Sequence, residues 1–139
     1  EFHPLRALKP LLSVKARVAY FKVVPAHTGV SYGHRYVTQT QTRIVTVPVG
    51  YGDGYRRALS SRGRVLIREQ SYPVAGTICM DQFMVDIGDG EAYVGDEVVL
   101  VGKQGDQEVL LMELATLCDT IPYEILCGFH DRLPRVYLS

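Results

Sequence analysis

The strongest constraint on the fold is a rapid succession of short apolar runs, each stopped by glycine, aspartate or a polar pair. Residues 44–49, 64–68, 71–78, 83–87 and 98–101 are such runs. They are bounded by Gly50-Tyr51-Gly52-Asp53-Gly54, Glu69-Gln70, Cys79-Met80-Asp81-Gln82, Gly88-Asp89-Gly90 and Gly102-Lys103-Gln104-Gly105-Asp106. Runs this short suit strands, and their spacing predicts an all-β barrel or sandwich. Pro73 has no N–H to give a ladder, which puts its strand at a sheet edge. Upstream, Val14, Ala16, Val18 and Tyr20 alternate with Lys15, Arg17 and Ala19. That period of two predicts a half-buried strand continuing through residues 21–24 to Pro25. Residues 38–43 are polar and threonine-rich, a turn or an edge strand.

Helical spacing occurs in the last third. Leu110, Leu111, Leu114, Ala115, Leu117 and Cys118 recur at three- and four-residue intervals, the pattern of an amphipathic helix facing a core. A second short helix is expected over residues 122–127, with Pro122 in its first turn and Gly128 as its stop. Residues 132–137 read as a final strand.

Fifteen basic and fifteen acidic side chains in 139 residues leave no net charge. That argues against a nucleic-acid or anionic-membrane surface as the main function. No apolar run approaches the roughly 20 residues that span a bilayer, and no basic start followed by an apolar stretch marks a secretory signal. Cys79, Cys118 and Cys127 are odd in number and widely spaced. Reduced thiols of a cytoplasmic protein are expected, rather than a disulfide framework or a zinc site. His3, His27, His34 and His130 form no HxH or HxxxH pair, so no metal site is expected.

No nucleophile–base pair stands at a readable spacing, and the glycines around Tyr51 precede no convincing helix, so a phosphate-loop reading fails. What remains is a set of phenols on glycine-flanked turns, Tyr32, Tyr51 and Tyr55, with Arg56, Arg57 and the Cys79-Met80-Asp81 turn. Taken singly, each also fits a plain surface turn. An unperturbed tyrosine titrates near pH 10, so one acting as a base at neutral pH needs a cation or strong donor beside it. Arg35, Arg56, Arg57 or a residue of another chain would supply it. Lys15 is by type a Schiff-base candidate, but its place in the polar phase of the alternation predicts a solvent-facing side chain.

In order and spacing, four motifs resemble the C-terminal domain of alanine racemases: Val30-Ser31-Tyr32-Gly33, Val47-Pro48-Val49-Gly50-Tyr51-Gly52-Asp53-Gly54-Tyr55, Gly76-Thr77-Ile78-Cys79-Met80-Asp81-Gln82 and Arg132-Leu133-Pro134-Arg135. The likeness runs from about residue 12 to residue 137. That family is a cytoplasmic homodimer using pyridoxal 5'-phosphate to interconvert L- and D-alanine, which supplies D-alanine for peptidoglycan. Each subunit joins an N-terminal (β/α)8 barrel, holding the cofactor-bound lysine, to a mostly β C-terminal domain. The active site forms where one subunit's barrel meets the other's C-terminal domain.

The resemblance implies a mainly β, Greek-key-like β-barrel over residues 12–139, with one or two short helices near the C-terminus. Residues 1–11 would be a linker from an upstream barrel. Tyr32 would be the catalytic tyrosine, exchanging the α-proton on one face of the cofactor-bound substrate while the barrel's lysine serves the other. The backbone N–H of Met80 would hold the substrate carboxylate, leaving its thioether as a core filler. Tyr51 and Arg57 would line the narrow entrance to the cofactor, with Asp81 supporting its wall. No residue of this domain is implied as a cofactor or metal ligand.

Two departures from the family stand out. His130-Asp131 occupies the place where the family often has a tyrosine near the cofactor phosphate, and no segment matches the lysine-bearing strand. The start at Glu1-Phe2-His3-Pro4 fits a domain separated from its barrel, which by itself would be inactive. A barrel-facing surface left bare would be apolar and self-associating. Two alternatives are a stand-alone β-barrel module for dimerisation or ligand binding, and a racemase of another amino acid such as serine.

Overall fold

A computed structural model describes residues 9–139; the expected linker falls, up to residue 8, outside them. The strands are β1 (Val14–Arg17), β2 (Tyr20–Val24), β3 (Gly29–Val30), β4 (Tyr36–Val37), β5 (Thr42–Val47), β6 (Arg64–Ile67), β7 (Gln70–Pro73), β8 (Phe83–Asp86), β9 (Glu97–Gln104) and β10 (Gln107–Val109). Two helices follow, α1 (Leu111–Leu117) and α2 (Pro122–Gly128). The larger sheet has the order β1-β9-β6-β7, with β10 paired to β9; the second is β2-β5-β8, and β3 and β4 form a small hairpin. The mainly β class and the two C-terminal helices agree with expectation. The barrel does not close: its strands are divided among separate sheets.

The strand expected over residues 14–24 is two strands. At Val18-Ala19 the chain passes from one sheet to the other: the Val18 amide donates to Asp96 O at 2.9 Å, and the Ala19 amide to Thr46 O at 3.0 Å. The apolar phase read from the sequence runs through this junction, but the buried face does not follow it: Tyr20, expected in that phase, is 57% exposed. Lys15 lies in the exposed phase, as expected, paired with Glu97 at 3.2 Å.

β9 is the centre of the larger sheet. Its apolar run Val98, Val99, Leu100 and Val101 is buried throughout, as an unbroken run requires when both faces are covered. These residues share one core with Val45 and Val47 of β5, Phe83 and Val85 of β8, and Leu114, Ala115 and Ile125 of the helices. Arg64 of β6 ties α1 down. Its Nε and Nη2 reach the two carboxylate oxygens of Glu113 at 2.6 and 2.9 Å, and Nη2 also donates to Glu108 O at 2.7 Å.

β7 is an edge strand, as Pro73 predicts. It stops there, and the expected continuation to residue 78 is reduced to a single bridge, Val74 to Val85. The final strand expected over residues 132–137 does not form. Pro134 cannot donate to a ladder, and Val136 and Tyr137 lie exposed beyond it.

Candidate active site

Three turns far apart in sequence meet along one open cleft of about 830 Å³. The first is a single 3-10 turn, Tyr32–His34, after β3. The second, Tyr51–Asp53, follows β5, and Arg57 opens the next such turn. The third is the loop over residues 77–82 that leads into β8. Tyr32, Tyr51, Arg57, Met80 and Asp81 all line this cleft.

The second and third turns touch backbone to backbone. The Tyr51 amide donates to Cys79 O at 3.0 Å, and the Gly52 amide to Met80 O at 2.9 Å. Glycine is needed at position 50 for closeness rather than for conformational freedom. Its φ of −151° is open to any residue, but a Cβ there would lie 2.1 Å from Cys79 O and 2.4 Å from Met80 O. Asp53 stabilises the turn from within, its buried Oδ2 accepting from the Gly50 amide at 3.0 Å. In a trans peptide the N–H points opposite to the carbonyl. The bond from Tyr51 to Cys79 O therefore turns the Met80 N–H away from the glycine turn.

A third segment locks this pair. Arg132, four residues beyond the end of α2, sends Nη2 to Asp81 Oδ1 at 2.7 Å and Nε to within 3.4 Å of Asp53 Oδ1. The hydrogen bond to Asp81, then the charge of Asp53, hold its pKa above the ordinary arginine value. Nearby, the Gly54 backbone packs against the end of α2. Gly54 has φ +105°, and a Cβ on it would stand 2.1 Å from Gly128 O.

Around the first turn, Ser31 Oγ donates to Thr77 O at 2.6 Å, and Thr77 Oγ1 donates to Tyr32 O at 3.3 Å. The Tyr32 side chain stands out from this support, 74% exposed. Tyr55, the third phenol of the sequence reading, is absent from the cleft. It is fully buried and stacks on Phe83 with ring centroids 4.8 Å apart. Among the described residues its hydroxyl has no hydrogen-bond partner, and burial drives its pKa above the ordinary phenol range. His130 lines a separate groove, and its amide donates to Asp53 O at 3.3 Å.

The family described as alanine racemase, C-terminal domain, matches residues 11–137. The chain belongs to that family. Alanine racemases of Carboxydothermus hydrogenoformans and Halothermothrix orenii are 51% and 50% identical to it over 135 and 131 residues. These matches cover 96% and 94% of this chain but 37% and 35% of the relatives. The solved alanine racemase of Streptomyces lavendulae gives a TM-score of 0.93 at 43% identity, covering 98% of this chain and 36% of that one. That of Bacillus anthracis, with bound L-Ala-P, gives 0.91 at 38% identity, covering 95% and 34%. The chain spans about a third of the length of the relatives it matches.

For this alanine racemase C-terminal domain, the fold thus brings to one cleft the five residues to which the resemblance gave roles, while Arg56 turns away to pair with Glu124 at 3.2 Å. Sequence reasoning missed the residues that hold them there. Asp53 and Arg132 sat inside the quoted motifs without a role, and Ser31 and Thr77 flanked the expected catalytic positions unremarked. The available signal was an aspartate among three glycines, since a carboxylate on a tight turn often accepts from the turn's own amides.

Proposed function

We propose that this domain completes the active site of a cytoplasmic, homodimeric, pyridoxal-phosphate-dependent alanine racemase that supplies D-alanine for peptidoglycan. The observation that carries the reading is the meeting of the exposed Tyr32, Met80 and the cationic Arg57 along one cleft, in a member of the racemase C-terminal family. The lining fits a cofactor held by another segment. It offers a phenol and a guanidinium to face such a group, and no amine with which to bind it covalently.

When bound, pyridoxal phosphate supplies a sink for the electron pair left at the substrate α-carbon. This chain then needs to position the substrate and move a proton, not to provide a strong nucleophile. The Tyr32 phenol oxygen takes or returns the α-proton on one face, while a group of the partner subunit's barrel serves the other. The Met80 N–H holds the alanine carboxylate. Tyr51 and Arg57 narrow the entrance, and Asp81, held by Arg132, keeps its wall in place. The stand-alone binding module and the serine racemase draw no support from relatives named alanine racemase.

The test is racemisation of L-alanine with added pyridoxal phosphate. The 139-residue chain alone is expected to be inactive and to regain turnover with the barrel half in trans. In the full-length enzyme, Tyr32→Phe should lower kcat by roughly 100-fold or more. Turnover by the chain alone, or undiminished turnover in Tyr32→Phe, would overturn the reading.

A further inference from the structure

We propose that Ser31 and Thr77 are positioning residues for Tyr32, and that the Ser31 hydroxyl holds a glycine-like backbone conformation that aims the phenol. The inference rests on the reading of Tyr32 as the proton-exchanging group.

Ser31 has φ +65° and ψ −174°, a region that essentially only glycine occupies without strain. Gly33 at +69° and His34 at +47° continue the departure, so residues on both sides of Tyr32 have positive φ. A serine survives in a glycine conformation only when the surroundings over-determine it. Here they do. The Ser31 hydroxyl donates to the Thr77 carbonyl, and the Thr77 hydroxyl donates back to the Tyr32 carbonyl. Each side chain thereby grips the other segment's backbone.

The second segment is itself anchored. Gly76, at φ +81°, lies so close that a Cβ on it would stand 2.8 Å from Val30 O and 3.0 Å from Ser31 Cβ. Its amide donates to Ser61 Oγ at 3.0 Å, its carbonyl accepts from the Ser61 amide at 3.1 Å, and the Ile78 amide donates to Ser60 Oγ at 2.9 Å. These bonds connect the Tyr32 backbone to the turn of the fully buried Leu59. The Tyr32 side chain is mostly exposed, so packing within this domain does little to direct it. Its direction is set through the backbone, and the two hydroxyls are what set the backbone.

A merely structural serine and a positioning serine respond differently to substitution. Ser31→Gly relieves the strained φ and removes the hydroxyl; Ser31→Ala removes the hydroxyl and keeps the strain. The measurement is steady-state kinetics in both directions on the full-length enzyme, with α-deuterated alanine and with thermal midpoints taken in parallel. Both variants should lose kcat alike, by about 10- to 100-fold, with KM within about twofold of native. The deuterium isotope effect should rise in the direction that Tyr32 serves and not in the other. The thermal midpoint of Ser31→Gly should exceed that of Ser31→Ala. Thr77→Val should reproduce the kinetic loss.

Native kcat in Ser31→Gly, or a kcat that follows the thermal midpoint across the variants, would overturn the proposal. Tyr32→Phe, measured alongside, separates the two levels. If it abolishes turnover while Ser31→Gly is native, the positioning role alone fails. If it leaves turnover intact, the reading of Tyr32 fails and this inference with it.

Discussion

Arg132 Nη2 donates to the carboxylate of Asp81 at 2.7 Å across 51 residues of chain. The same guanidinium lies 3.4 Å from Asp53, so one planar group joins the turn that carries Tyr51 to the turn that carries Met80. Removing it should loosen both walls of the cleft. Arg132→Ala is expected to reduce kcat/KM of the full-length enzyme about tenfold, since small displacements of positioned groups are costly to turnover. Arg132→Lys should recover only part of this, because an ammonium does not present a fork. Amide exchange checks the cause: the Tyr51 and Gly52 amides should exchange faster in Arg132→Ala.

Gly50 tests the contact between the same two turns. Its missing Cβ is where the Cys79 and Met80 carbonyls lie, and backbone atoms cannot swing aside as a side chain can. Gly50→Ala should destabilise the domain by about 3 kcal/mol, the upper part of the usual overpacking range. Urea unfolding would show it, and an unchanged midpoint would mean that the turns can separate freely.

Two phenols of similar sequence context should behave in opposite ways. Tyr55→Phe removes a buried hydroxyl that has no partner among the described residues, so stability should be unchanged or rise by about 1 kcal/mol. Tyr32→Phe alters an exposed side chain and should leave the unfolding free energy in urea within about 0.5 kcal/mol of native, while turnover is lost. Destabilisation in Tyr55→Phe would show that its hydroxyl has a partner in solution.

Tyr36 makes the fold sensitive to alkali. Burial, then its 2.6 Å hydrogen bond to Asp86 and the charge of that carboxylate, push its pKa up to about 12. In the unfolded chain it would titrate near pH 10. The folded state then holds the proton longer. This contribution to stability is complete below about pH 10 and is lost as pH rises toward about 12. Tyr36→Phe should flatten the fall in urea stability over that window, although it also frees Asp86 of a donor and lowers stability at neutral pH.

Strand and helix periods are local properties, and by themselves they determined that this chain is mainly β with two short helices at its end. Four motifs in register likewise determined the family. The arrangement of strands was decided only in three dimensions. The split at Val18-Ala19 and the open barrel depend on pairings such as Val14 with Val101 and Tyr20 with Thr46, and a period of two cannot say which partner a strand will find. The same holds for the cleft. A motif records spacing, not which guanidinium reaches which carboxylate, so Arg132 stayed invisible until the segment after α2 was seen beside Asp53 and Asp81. Tyr51 and Tyr55 make the point within a single turn. Four residues apart, each directly after a glycine, one is 40% exposed in the cleft and the other fully buried. The left-handed backbone at Gly54 separates them, and the space open beside Phe83 takes the second ring into the core.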